Sequence, residues 1–179
     1  NASGIEIYSN PELKPETGWS AELGIKKNIK INNWFGSIDI AAFLMRYNDM
    51  MEFTFGQWGD PITMPLYGLG FKSVNIGKTE ISGIELSLNG VGNINPNLKI
   101  NMIGGYTYMN PISLEPDKVY TESIQSVFIN GEEIGPELTY TNSSSDPSIL
   151  KYRYQHIAKL DVDLTYLKKY IIGSSIRYN

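Results

Sequence analysis

Apolar and polar side chains alternate every second residue along most of this chain, and helical spacing is nowhere sustained. From Trp19 to Lys26, Trp19, Ala21, Leu23 and Ile25 fall on one face, with Ser20, Glu22, Gly24 and Lys26 on the other. That is the period-two signature of a strand. The same rhythm predicts strands over 18–31, from Phe35 to about Tyr47, over 75–90, from Leu98 to about Tyr108, over 152–166 and over 170–178. In the second of these, Ile38, Ile40, Ala42 and Leu44 oppose Ser37, Asp39 and Ala41, but Phe43, Met45 and Tyr47 then fall on the polar side. Either a bulge switches the parity there or these side chains point into a lumen.

The connections alternate in length. Short turns are expected at Asn32-Asn33, at 93–97 and at Lys168-Lys169. Long loops are expected over 56–72, dense in Gly and Pro, and over 110–150. The second long loop holds Glu115, Asp117, Glu122, Glu132, Glu133, Glu137 and Asp146, and the Asn130-Gly131 pair inside it predicts a small hairpin over 127–133. In an up-and-down sheet this places all long loops at one end and all short turns at the other, the asymmetry of outer-membrane barrels. The polar faces carry Glu22, Lys26, Asp39, Glu85, Lys99, Lys159, Asp161, Asp163 and Arg177, while the apolar faces are almost free of charge. Trp19, Trp34, Tyr106, Tyr108, Tyr166 and Tyr178 lie near strand ends, where an aromatic girdle belongs. The fold class expected is all-β: an antiparallel up-and-down segment of about six strands from a transmembrane β-barrel. A two-layer sandwich with a dry core satisfies the alternation as well.

Composition narrows the function more than the fold. The chain has 179 residues, a net charge of −4 and a pI near 5.0, which argues against a nucleic-acid partner. Cysteine is absent, so no disulfide framework or thiolate metal site forms. No apolar run approaches the ~18 residues of a membrane-spanning helix, but barrel strands need none, and a mean hydropathy of −0.22 with twelve Tyr and seventeen Gly suits one. His156 is the only histidine, which excludes multi-His metal sites and leaves no catalytic constellation. Asp49, Met50, Met51 and Glu52 read as strand-end and loop content rather than a metal site. Neither a cofactor nor a metal is expected, and an enzyme is the least favoured class. The candidate binding surfaces are the long loops. The first offers Phe55, Trp58, Tyr67 and Phe71, with Phe53 beside them; the second offers Tyr120 and Phe128. All are stacking or apolar surfaces.

Two segments carry a family likeness. Asn10-Pro11-Glu12-Leu13-Lys14-Pro15-Glu16 reads locally as a rigid turn, and it leads into a strand with Glu22 and Gly24. Together these resemble the "NPxLKPE…ELG" segment in the barrel of TonB-dependent outer-membrane receptors. About sixty residues later, Asn75 to Leu86, with Gly83 and Glu85, resembles that family's "N…GvEle" strand. The resemblance implies active uptake through a plugged barrel of 22 strands, without covalent chemistry. The implied partners are outer-membrane lipid, the receptor's own plug domain and remaining barrel, the TonB complex through parts outside this chain, and a small nutrient: an iron chelate, haem, cobalamin or glycan. The implied location is the outer membrane of a Gram-negative bacterium. Asn1 is not a Met start, and Asn179 directly follows a strand-like run. The expectation is therefore an excerpt, residues 1–179 being part of one barrel domain without the plug or the final strand. The rival readings are a soluble β-sandwich binding carbohydrate or another ligand, and a small complete barrel acting as an adhesin or structural protein.

Overall fold

The computed structural model describes residues 5–60, 62–118, 148–150 and 153–179, and the backbone alone of short strands between 121 and 140. In chain order the strands are β1 (Glu6–Tyr8), β2 (Thr17–Ile31), β3 (Trp34–Asn48), β4 (Met51–Gln57), β5 (Leu69–Asn75), β6 (Thr79–Asn95), β7 (Leu98–Ser113), β8 (Thr121–Glu122), β9 (Val127–Ile129), β10 (Glu132–Ile134), β11 (Thr139–Tyr140), β12 (His156–Tyr166) and β13 (Tyr170–Tyr178). Six of them form one antiparallel sheet in the order β13-β12-β7-β6-β3-β2. Each neighbour in that sheet is also the next long strand along the chain, so it is an up-and-down meander.

Contacts divide the chain into two compact units. One comprises Asn1–Trp19, Arg46–Glu80 and Ile112–Lys151; the other comprises Ser20–Met45, Ile81–Pro111 and Tyr152–Asn179. Among its described residues the second unit has no closed apolar core. Its apolar positions stand in the open, with Leu23 81% exposed and Ile25 75%. Strand register shows how the two faces separate. Leu160 lies opposite Gly104, Val162 opposite Met102 and Leu164 opposite Ile100 on the apolar side; Asp161 lies opposite Ile103 and Asp163 opposite Asn101 on the other. The polar side carries cross-strand and same-strand ion pairs, Lys26–Asp39 at 3.7 Å and Lys159–Asp161 at 2.7 Å. Such exposed pairs add at most about 1 kcal/mol each. Their use here is to mark the wet face.

Aromatic residues close the apolar face at both strand ends. At the end reached by the long loops, Tyr108 lies opposite His156, and Ala158 stands between Tyr106 and Tyr178. At the short-turn end Tyr166 lies opposite Tyr170. The ten steps from His156 to Tyr166 span about 33 Å along the strand. At the ~40° tilt of barrel strands that projects to about 25 Å, the height of a barrel's apolar band. The turn between β12 and β13 is tight: Leu167 and Lys168 take φ of 52° and 56°, and Lys169 N–H donates to Tyr166 O at 3.0 Å.

Trp34 shows how the wall handles its glycines. A Cβ added at Gly90 would collide first with the Trp34 indole, and one at Gly36 would meet both that ring and Asn89 O. The indole therefore lies flat over bare backbone. Phe43 does the same on the polar side, where a Cβ on Gly83 would strike its ring and Tyr108 O. Lys26 beside Asp39, Gly24 beside Ala41 and Gly18 beside Tyr47 keep one register between β2 and β3, so no bulge switches the parity of β3. Phe43 stays on the polar face, the second of the two readings left open by the sequence.

Several predicted boundaries need correction. Residues 56–72 are not a featureless loop: β4 and β5 pair antiparallel across it, with Phe55 opposite Phe71. The strand expected over 75–90 is divided, because Asn75 ends β5, Gly77 takes φ 99° and β6 begins at Thr79. The second long loop begins after Ser113, and β12 begins at His156 rather than 152. The hairpin expected inside that loop is present, β9 pairing with β10.

Replacing Gly90 with Ala in the intact protein is expected to cost about 1–3 kcal/mol of stability, as overpacking does. Most of that cost should vanish in a Trp34→Ala background. Urea unfolding followed by far-UV circular dichroism measures both; equal costs in the two backgrounds would show that the indole is not the obstacle.

Candidate functional site: the clamped loop hairpin

The first compact unit is built around the β4–β5 hairpin. Met50, Val74, Ile76 and Leu150 are buried together, with Tyr47 and Trp58 packed against them. Thr79 Oγ1 donates to Met50 Sδ at 3.0 Å, so Met50 is core rather than loop content. On the edge of the hairpin, β1 adds in parallel to β5, Ile7 beside Phe71.

The two motif segments meet at one side chain, Asn75. Its Oδ1 accepts from Lys14 N–H at 2.8 Å, and its Nδ2 donates to Lys14 O at 3.0 Å and to Asp49 O at 2.7 Å. This amide supplies Lys14 with the two-way pairing that a neighbouring strand would otherwise give. Asn10 adds a second tie, Nδ2 to Ser73 O at 2.9 Å, and Glu16 Oε2 accepts from Met51 N–H at 2.9 Å. The expected turn is present: Leu13 N–H donates to Asn10 O at 3.2 Å, with Pro11 at the second position, where its fixed φ suits the turn. Pro15 then precedes Glu16, which starts the approach to β2. Of the remaining motif residues, Gly24 lies against Ala41 and Gly83 against Phe43 and Tyr108, both as close backbone approaches. Glu22 and Glu85 are exposed.

The loop aromatics are divided between the two faces of the hairpin. Phe53 stacks on Phe71 with centroids 5.0 Å apart, and Phe55 meets the same ring edge-on at 5.2 Å. These three, with Ile7 72% exposed and Phe53 54% exposed, form an open apolar patch. Trp58 faces the other way. Its indole Nε1 donates to Thr54 O at 3.3 Å, and Lys72 Nζ sits 5.3 Å from its ring centroid. There it lines a recess of about 280 Å³ with Asn10, Lys14, Asp49, Lys72 and Asn75, a polar site with charges of both signs. Tyr67 projects at the hairpin tip, 74% exposed. It is presented by strained backbone, since Leu66, Tyr67 and Gly68 take φ of 52°, 57° and 71°. Left-handed conformation costs bulky residues roughly 1–2 kcal/mol each. Bonds from Gln57 Nε2 to Tyr67 O at 3.0 Å and from Trp58 N to Gly68 O at 2.9 Å hold it.

The structure thus joins Phe55 with Phe71, separates Trp58 from them and leaves Tyr67 at the tip. Tyr120 and the Phe128 side chain lie outside the described residues. The sequence reading missed Ile7 and Lys72, and it took Asp49 as strand-end and loop content. A signal for the hairpin was present, because Met51, Phe53 and Phe55 alternate with Glu52 and Thr54, but Gly and Pro nearby masked it. His156 is held by Tyr106, Oη to Nδ1 at 2.8 Å, as part of the aromatic rim.

An antiparallel meander with a bare apolar face between two aromatic rims is the wall of a β-barrel. The family model described as TonB dependent receptor-like, beta-barrel matches residues 1–179, and the chain belongs to that family. Its members are transporters of the outer membrane rather than enzymes. No curated protein matches the chain.

Asn75→Ala removes three hydrogen bonds at about 1 kcal/mol each, so a loss of about 2–3 kcal/mol in the opening of the hairpin is expected. Limited proteolysis of the loop reads it, and unchanged cleavage would show that Asn75 is no clamp. Asp60 gives a pH test. Its carboxyl is held below the usual 3.8, first by the Ile62 N–H and then by the Thr63 hydroxyl; the distances are 2.8 Å for both. A lowered folded-state value means that this turn is fully supported above pH 3.8 and loses support as pH falls through the lower value. Amide protection at Ile62 is expected to fall over that acid range in the native protein, and to show no such step in Asp60→Ala.

Proposed function

We propose that this chain forms part of the barrel wall and the capture loops of an outer-membrane receptor that imports a scarce small nutrient with TonB energy coupling. The observation that carries the reading is the bare apolar face bounded by aromatics at both ends, with family membership over the whole chain. Residues 1–179 are then one part of a single barrel domain, with the plug and the TonB contact contributed by other residues of the receptor. The apolar positions meet lipid, the polar faces line the lumen, and the long loops meet the ligand. Phe53, Phe55 and Phe71 favour a nutrient with a flat or apolar face, which iron chelates, haem, cobalamin and glycans each offer in part. Trp58, Tyr67, Tyr120 and Phe128 are the further ligand-contact candidates. Binding energy accounts for capture and TonB coupling for import, and no covalent bond of the nutrient is made or broken.

The full-length protein is expected in the outer-membrane fraction as a band whose gel mobility changes on boiling. A soluble, boiling-insensitive product would sink the transport reading and restore the β-sandwich. Given a heat-modifiable band, uptake of labelled iron chelate, haem, cobalamin and oligosaccharide by nutrient-starved cells identifies the cargo. For that cargo, the double change Phe55→Ala and Phe71→Ala is expected to weaken binding about tenfold, or ~1.4 kcal/mol. Unaltered affinity would assign capture to other loops.

A further inference from the structure

The membrane face of the second unit carries a groove with a charge in it. The groove measures about 460 Å³, with Leu23, Ile25 and Ile29 of β2 on one side, Ile38 and Ile40 of β3 on the other, Ile84 of β6 beyond and Ala42 as a small floor. Its lining includes one charged side chain, Lys27. Alternation puts Lys27 on the lipid side with Leu23, Ile25 and Ile29, while its neighbour Lys26 pairs with Asp39 on the polar side. Lys27 is exposed and makes no ion pair among the described residues.

Depth gives this lysine its meaning. The strand ends at Ile31 and β3 opens with Trp34, the rim aromatic. Lys27 is four residues inside that end, about 13 Å along the strand and about 10 Å in depth at ~40° tilt. A lysine stem lies along apolar surface and carries its ammonium back to the headgroup layer. Stretches 27–37, 92–101 and 164–172 around the three short turns hold no acidic residue, in a chain of net charge −4. An anionic headgroup beside Lys27 therefore meets no like charge from these turns, and the lysine adds roughly 1 kcal/mol of attraction.

We propose that this groove and Lys27 form a binding site for one anionic phospholipid of the leaflet at the short-turn end. One acyl chain lies over Ala42 between the β2 and β3 side chains, and the headgroup phosphate accepts hydrogen bonds from the Lys27 ammonium. The site rests on the barrel-wall reading, but a barrel wall does not require it: a flush lipid face has neither the recess nor the lone cation.

The test uses full-length receptor in mild detergent, first verified as a heat-modifiable band. Without that band the barrel reading itself fails, separately from the site. Native mass spectrometry then counts retained phosphatidylglycerol against phosphatidylcholine and lipopolysaccharide. The expected result is selective retention of phosphatidylglycerol. That retention should drop about tenfold in Lys27→Met, which keeps the stem, and in Ala42→Phe, which fills the groove but keeps the charge; Lys27→Arg should restore it. Equal retention of phosphatidylcholine, a preference for lipopolysaccharide, or indifference to both Lys27→Met and Ala42→Phe each overturns the proposal.

Discussion

In hydrocarbon no water is present to satisfy a backbone N–H or C=O, and each such group left unpaired costs several kcal/mol. A strand can lie in that medium only when both of its edges are paired. This constraint explains why the six long strands pair with their sequence neighbours: a meander closes each ladder with the shortest possible connection. It also explains the sheet's dependence on its surroundings. Within the described residues β2 and β13 are the edge strands, and their outer ladders need partners before lipid can cover them. Stability of this wall is therefore a property of the closed barrel, not of the segment.

The same constraint makes the loop unit different in kind. Outside the hydrocarbon, backbone groups can turn to water or to side chains, and the chain uses side chains. Asn75 pairs both ways with Lys14 and reaches Asp49, doing for an irregular segment what a ladder does for a strand. The four buried residues of that unit give the hairpin a small core of its own. Strain at Leu66 and Tyr67 is then affordable to hold, because the surrounding bonds fix the tip. Side chains so mounted are pre-ordered, and in the proposed capture role that lowers the ordering cost of binding.

Much of this was legible in the sequence, and the failures have physical causes. Period-two patterning located the long strands, since lipid outside and water inside impose opposite chemistries on alternate residues. Boundaries failed where that contrast ends. Between Asn75 and Ile81 only Ile76 is apolar, so no alternation marks where β5 ends and β6 begins, and Gly77 at φ 99° divides them. The β4–β5 hairpin was hidden for a different reason: in β4 the apolar side, Met51, Phe53 and Phe55, is the exposed one, while Glu52, Thr54 and Gly56 face inward. The Asn10 and Asn75 segments were recognised as two marks, but their convergence is a long-range contact that neither segment encodes alone.

Aromatic residues caused the hardest ambiguity, because one residue type serves three ends here. At Tyr106, Tyr166 and Tyr178 the ring sits at a strand terminus on the apolar face, where an amphipathic side chain suits the membrane boundary. At Trp34 and Phe43 it covers glycine backbone, on opposite faces of the sheet. At Phe53, Phe55 and Phe71 it stacks on its own kind. Exposed apolar surface of this sort is costly to leave bare, and the proposed capture role would give it a partner, the nutrient, that the other two aromatic groups do not need.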